Sequence, residues 1–132
     1  VLQKGDVLLN WRSGSKEHVG KAAIFELDGN WTYASFILRI RPNELMNNVF
    51  LWRLLNYMRR YELFGRSTSQ QVNFKMNASY FRQVELVTPP RNAQDYIVSV
   101  LEKCWETQKS LTKRFENTQS ILKQLMNKSI GV

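Results

Sequence analysis

The chain has one cysteine, one histidine and three prolines in 132 residues, and each scarcity removes a class of protein. Cys104 alone cannot form an intramolecular disulfide, so the fold is no disulfide scaffold and suits a reducing cytoplasm. With His18 as the sole imidazole, no His/Cys metal cluster can be built within one chain, and no metal ligand is assigned. The acidic residues are scattered singly, so no carboxylate pair is available for acid–base chemistry. Gly20-Lys21 looks like the end of a phosphate-binding loop. However, Gly14 sits one residue too far upstream, and Ala22 takes the place of the magnesium-binding hydroxyl. No catalytic residue is assigned. No apolar run approaches the roughly 18 residues that a membrane span needs. Neither a signal peptide nor an internal repeat is visible.

What is present is positive charge. Nineteen Lys and Arg against eleven Asp and Glu give a formal charge of +8. The excess is even: residues 1–66 carry 10 basic and 6 acidic side chains, and residues 67–132 carry 9 and 5. It therefore belongs to the folded surface and not to a tail. Such a surface favours a polyanion, nucleic acid before membrane.

Pro89-Pro90 divides the chain into a mixed-pattern domain at 1–88 and a helix-bearing segment at 89–132. Before the break, Asp6–Trp11 and Lys21–Leu27 read as strands. Asp28-Gly29-Asn30 reads as the turn of a hairpin whose returning strand is Trp31–Arg41, ended by Pro42. Asn43 is the expected cap of a helix running to about Leu63. Its apolar stripe is Met46, Phe50, Leu54, Tyr57 and Tyr61, broadened by Leu51, Leu55 and Met58, and Gly65 is the expected stop. Asn77 is read as capping a short turn through Arg82, and Val84–Val87 as a last strand. The fold class expected is α+β: a small mixed domain followed by a long coiled-coil helix.

After the prolines the pattern becomes strict. Ile97, Leu101, Cys104, Gln108, Leu111, Phe115, Thr118, Leu122 and Leu125 follow alternating steps of four and three. A seam sustained over about four heptads predicts a helix across 95–128 that pairs with another helix. Cys104 is read here as a small buried hydrophobe, and Gln108 and Thr118 as polar interruptions that help set register. This segment is a rod that positions whatever precedes it, so binding chemistry is sought in residues 1–88.

The loop between the first two strands concentrates that chemistry. Arg12, Lys16 and Lys21 supply charge, and Ser13, Ser15 and His18 supply hydrogen-bonding groups suited to phosphate oxygens and base edges. Arg66, Ser69 and Gln70 lie in a second polar stretch with similar chemistry, a candidate for the other lip of a cleft. Ordinary solvated loops have the same composition. Trp52 reads as core, Trp31 as a cover for the turn, and Trp11 as the one tryptophan placed for DNA contact.

Taken in order, these residues resemble a known family. Gly5-Asp6-Val7-Leu8-Leu9, Arg12-Ser13-Gly14-Ser15 and His18-Val19-Gly20-Lys21 are similar to the opening of target-recognition domains. These domains belong to the specificity subunits of type I restriction-modification enzymes. Ala34–Arg41 is similar to the strand that follows in that family. Pro89-Pro90 with Gln94 and Ile97 resembles its junction into the long spacer helix, although the acidic residue that usually precedes the glutamine is replaced by Ala93. The resemblance implies a bacterial, cytoplasmic, non-catalytic subunit that reads double-stranded DNA. It implies modification (methyltransferase) and restriction subunits as partners, with S-adenosylmethionine bound by the modification subunit. It also implies a second recognition domain, in the same subunit or in a homodimer through the helix. The family's domains usually have a further stretch before the opening motif, so the chain is expected to be the C-terminal part of a subunit or a half-subunit. Two other classes stand beside this one. One is a coiled-coil adaptor with an incidental basic surface, and the other is the recognition part of a methyltransferase cut from its catalytic half.

Overall fold

The computed structural model describes residues 1–13, 18–66 and 78–131. It contains strands β1 (Val7–Asn10), β2 (Ala22–Ile24) and β3 (Ile37–Ile40), and helices α1 (Asn48–Arg60), α2 (Ala78–Arg82) and α3 (Arg91–Ser129). The class is α+β. The chain divides into two compact units, Val1–Asp95 and Tyr96–Val132.

The sheet is antiparallel with β1 in the centre, in the order β2-β1-β3. β1 earns that place through its side chains: Val7 and Leu9 are fully buried and alternate with half-buried positions. Here the hairpin differs from the expectation. The chain does bend at Asp28–Asn30, with Gly29 at φ 107°, but β2 and β3 do not pair with each other. The tight pairing is between β1 and β2, continued past the strands by Asn10 N–H to Lys21 O and Gly20 N–H to Asn10 O. Residues 31–36 cross to the other side of β1 before pairing begins at Ile37.

α1 also starts later than its nearest capping signal. Asn43 makes only a local turn, accepting from the Leu45 N–H. Asn47 is the cap, taking the Phe50 N–H at 3.0 Å. Leu51, Leu55 and Met58 face the core with Val7, Leu9, Phe64 and Phe81. Tyr57 and Tyr61, expected on the apolar stripe, are exposed instead. The helix ends at Tyr61, before Gly65, and Glu62 takes a left-handed φ of 53°. Phe64 meets Phe81 edge-on at 5.3 Å, and the Tyr80 hydroxyl donates to the Phe64 carbonyl, which ties α2 to the core. Val84–Val87 forms no strand, although Val84 and Leu86 pack against the core. The expected cap Asn77 lies outside the described residues.

α3 begins at Arg91, directly after Pro90, whose carbonyl accepts from the Ala93 and Gln94 amides. Proline suits this entry because its fixed φ matches a helix start and it needs no amide partner there. Gln94 is 1% exposed and fully hydrogen-bonded. Its Oε1 accepts the Asn47 amide at 2.8 Å, and its Nε2 donates to the carbonyls of Pro89 and Leu45. Asp95 accepts from Asn47 Nδ2 and from Arg91, and these bonds hold its carboxyl below the usual range. At 39 residues, α3 is about 58 Å long.

Candidate nucleic-acid interface

The basic loop is the connection between β1 and β2, so two paired strands fix both of its ends. Asn10 closes it through its backbone, and its Oδ1 accepts the Arg12 amide at 3.1 Å. Trp11 is half-buried. Its indole N–H is spent on the Ser35 carbonyl and its backbone N–H on Phe36, so the ring anchors the loop. Gly20 shows φ 79°, and a Cβ there would sit 3.2 Å from Arg59 Cγ and 3.3 Å from the Phe64 ring. Glycine therefore lets the end of the loop lie directly against α1.

Arg12, His18 and Lys21 are exposed and Ser13 is half-buried; Ser15 and Lys16 lie outside the described residues. The Lys21 ammonium lies 2.9 Å from His18 Nδ1. An ammonium can only donate, so in this contact Nδ1 is the acceptor and Nε2 is the ring nitrogen that carries the proton. Two donors of different reach thus stand together at the end of the loop. In the second polar stretch, Arg66 closes the short 3-10 turn Leu63–Arg66, while Ser69 and Gln70 lie outside the described residues.

Behind this loop the structure adds residues that sequence reading passed over. Ala22, at the start of β2, is held by α1. Trp52 Nε1 and Asn56 Nδ2 both donate to its carbonyl at 2.9 Å, and Asn56 Oδ1 accepts its amide. These bonds satisfy the outer backbone groups of an edge strand. They also bring Lys21 beside Arg53, Tyr57, Arg60 and Tyr61 around an open cavity of about 810 Å³. The Arg53 guanidinium lies 4.2 Å over the Trp52 ring, and Tyr57 and Tyr61 are 4.6 Å apart. The signal was legible as Arg53, Tyr57, Arg60 and Tyr61 recurring at four, three and one. It was masked by reading both tyrosines as apolar.

A second polar cluster is structural. Asp6 is 1% exposed and takes Arg41 at 2.7 and 2.8 Å, with the Gln3 amide as a third donor. Arg41 holds its carboxyl below the ordinary carboxylate value, against the opposing effect of burial. Among the described residues no group of His, Cys, Asp and Glu could hold a metal ion. No helix there is long and apolar enough to cross a membrane.

The residues expected to form a helix-pairing seam all lie on α3 and all are exposed in the single chain, Cys104 included. Ile97 is the least exposed of the apolar ones at 38%, and Phe115 the most at 63%. Thr118 turns its hydroxyl back onto the Arg114 carbonyl.

The chain thus presents a basic loop held at both ends by a small antiparallel sheet. The family comparison assigns it a class. The model of the type I restriction modification DNA specificity domain matches residues 1–125, and the chain belongs to that family. Its members are non-catalytic DNA-recognition modules, and DNA recognition is the role of this domain. No curated protein and no solved structure gives a significant match.

Proposed function

We propose that the chain reads one part of a split DNA target through the β1–β2 loop and holds that reader at a set distance through α3. Arg12, Ser13, Ser15, Lys16, His18 and Lys21 contact the duplex, with Arg66, Ser69 and Gln70 as the opposite lip. The observation that carries the reading is the placement of Lys21 and His18. They form an exposed donor pair on a loop whose ends are fixed by strand pairing. α3 pairs through the seam from Ile97 to Leu125, with a second helix of the parent subunit or with a second copy of this chain. Its length of about 58 Å exceeds the roughly 34–36 Å of one DNA turn, enough to separate two recognition domains by a turn or more. The assembly places modification and restriction subunits on the DNA, with S-adenosylmethionine on the modification subunit.

Replacing Arg12, Lys16 and Lys21 together by alanine tests the loop. Duplex affinity should fall, and the salt dependence should become shallower by about 0.9 per lost phosphate contact. A lost base contact should instead cost roughly 1–3 kcal/mol on the target alone. Unchanged affinity in a folded triple variant removes the loop from the site.

A further inference from the structure

We infer that the outward face of α1, formed by Arg53, Tyr57, Arg60 and Tyr61, is a second DNA contact that grips the phosphate backbone irrespective of sequence. The inference rests on the DNA-reading role proposed above and adds a site to it. α1 has three arginines and no acidic residue in its thirteen positions. Its core face is taken by Leu51, Leu55 and Met58, and Trp52 and Asn56 are engaged with β2. Arg53, Tyr57, Arg60 and Tyr61 are left on the remaining side, within one helical stripe. Both tyrosines are more than half exposed, at 55% and 53%, so the pair they form with each other still presents aromatic surface and both hydroxyls to solvent.

The chemistry suits duplex DNA. Guanidinium groups bind phosphate oxygens in a fork, and tyrosine hydroxyls donate to the same oxygens. Arg60 lies 6.0 Å from the Tyr61 ring centre and Arg53 lies 4.2 Å from that of Trp52, so both cations are backed by aromatic faces. Arg53 and Arg60 are about 10 Å apart along the helix axis. That matches the axial advance of about three phosphates on one strand. The residues described around the cavity include no carboxylate, so nothing described there repels a polyanion. Lys21 borders the same cavity, which makes the face continuous with the end of the reading loop.

The test uses the full chain with Arg60→Gln, Arg53→Gln and the pair. Affinity is measured by fluorescence anisotropy on target and on unrelated duplexes, between about 50 and 200 mM salt. The slope of log affinity against log salt should become shallower by about 0.9 for each arginine removed, and by about 1.8 for the pair. The loss should be equal on every duplex, leaving the preference for the target as it was. Tyr57→Phe should weaken all duplexes alike and leave the slope unchanged. Arg60 is exposed, so its single replacement remains informative if the Arg53 variant fails to fold. If the wild type binds DNA and the Arg60 variant matches it in affinity and slope, the α1 contact is overturned while the loop reading stands. A loss confined to the target overturns the phosphate assignment. A wild type that binds no duplex at any salt overturns both.

Discussion

Leu51, Leu55 and Met58 of α1 are 3, 4 and 8% exposed, whereas Leu111, Phe115 and Leu122 of α3 are 59, 63 and 54% exposed. Both sets come from helices with one apolar and one polar side, and both sides repeat with helical spacing. The difference lies in what covers them. α1 lies across a three-stranded sheet that supplies Val7 and Leu9, and its apolar side is consumed inside the chain. The corresponding side of α3 meets solvent along most of its length in the single chain. Periodicity therefore tells which side of a helix is to be buried and leaves open by whom. Length and regularity supply the hint: four heptads in strict 4-3 spacing suit another helix better than a sheet.

The comparison is broken most forcefully at Leu55. Replacement by alanine should cost about 2–5 kcal/mol of unfolding free energy, because it empties a packed site among core residues. Denaturant melts should show this loss at any protein concentration; a loss below about 1 kcal/mol would mean that the α1 core is looser than its burial indicates. Gln94→Ala comes next, at about 1–3 kcal/mol, since it leaves the Asn47 amide and the Pro89 and Leu45 carbonyls without their partner. Amide exchange should rise first at the beginnings of α1 and α3, and protection unchanged there would show the bonds to be replaceable.

A smaller effect is expected at Asp6. Removing its bonds to Arg41 should cost about 1–2 kcal/mol, moderated because the guanidinium reaches solvent. The folded carboxyl titrates below its ordinary value, so its contribution is complete above about pH 4 and fades as the pH falls through the folded value. Melting against pH should show that loss on the acid side only, and Asp6→Asn should shrink it, leaving the part that Asp95 contributes. Least of all should happen to the domain on replacing Leu111 and Phe115 by Asp. Its stability should move by no more than about 0.5 kcal/mol, as for surface changes generally. Sedimentation should nonetheless report a monomer where the wild type associates. A dimer surviving in this variant, or a wild type monomeric at high concentration, would sink the pairing of α3.

Much of this architecture was legible because local rules were enough. α3 carries a proline entry, an unbroken heptad pattern and no competing signal, and Pro42 stops β3 where it should. The errors fall where distant residues decide. Asn43 and Asn47 are equally good caps in isolation. What selects Asn47 is its docking to Gln94 and Asp95, nearly fifty positions downstream. The turn at Asp28–Asn30 was visible, yet the strand after it joined the far side of β1, where it pairs with the backbone edge that β2 leaves open. The candidate interface was half legible. A loop rich in Arg, Lys, Ser and His announces itself by composition. The basic side of α1 does not, because its arginines alternate with core leucines and its tyrosines pass for hydrophobes.

Asn47 illustrates how one side chain can serve two masters with different tolerances. Its oxygen caps α1, a task that aspartate performs equally well. Its nitrogen bonds Asp95 at 2.6 Å, a task that aspartate reverses by setting one carboxylate against another. The chemical change that accompanies protein ageing, hydrolysis of an asparagine amide to a carboxylate, would therefore be silent for one helix and corrosive for the other. α1 would keep its cap while the first turn of α3 lost one of its ties and kept those made by Gln94 and Arg91, so the damage would register as a local loosening at Asp95 and not as an unfolded domain.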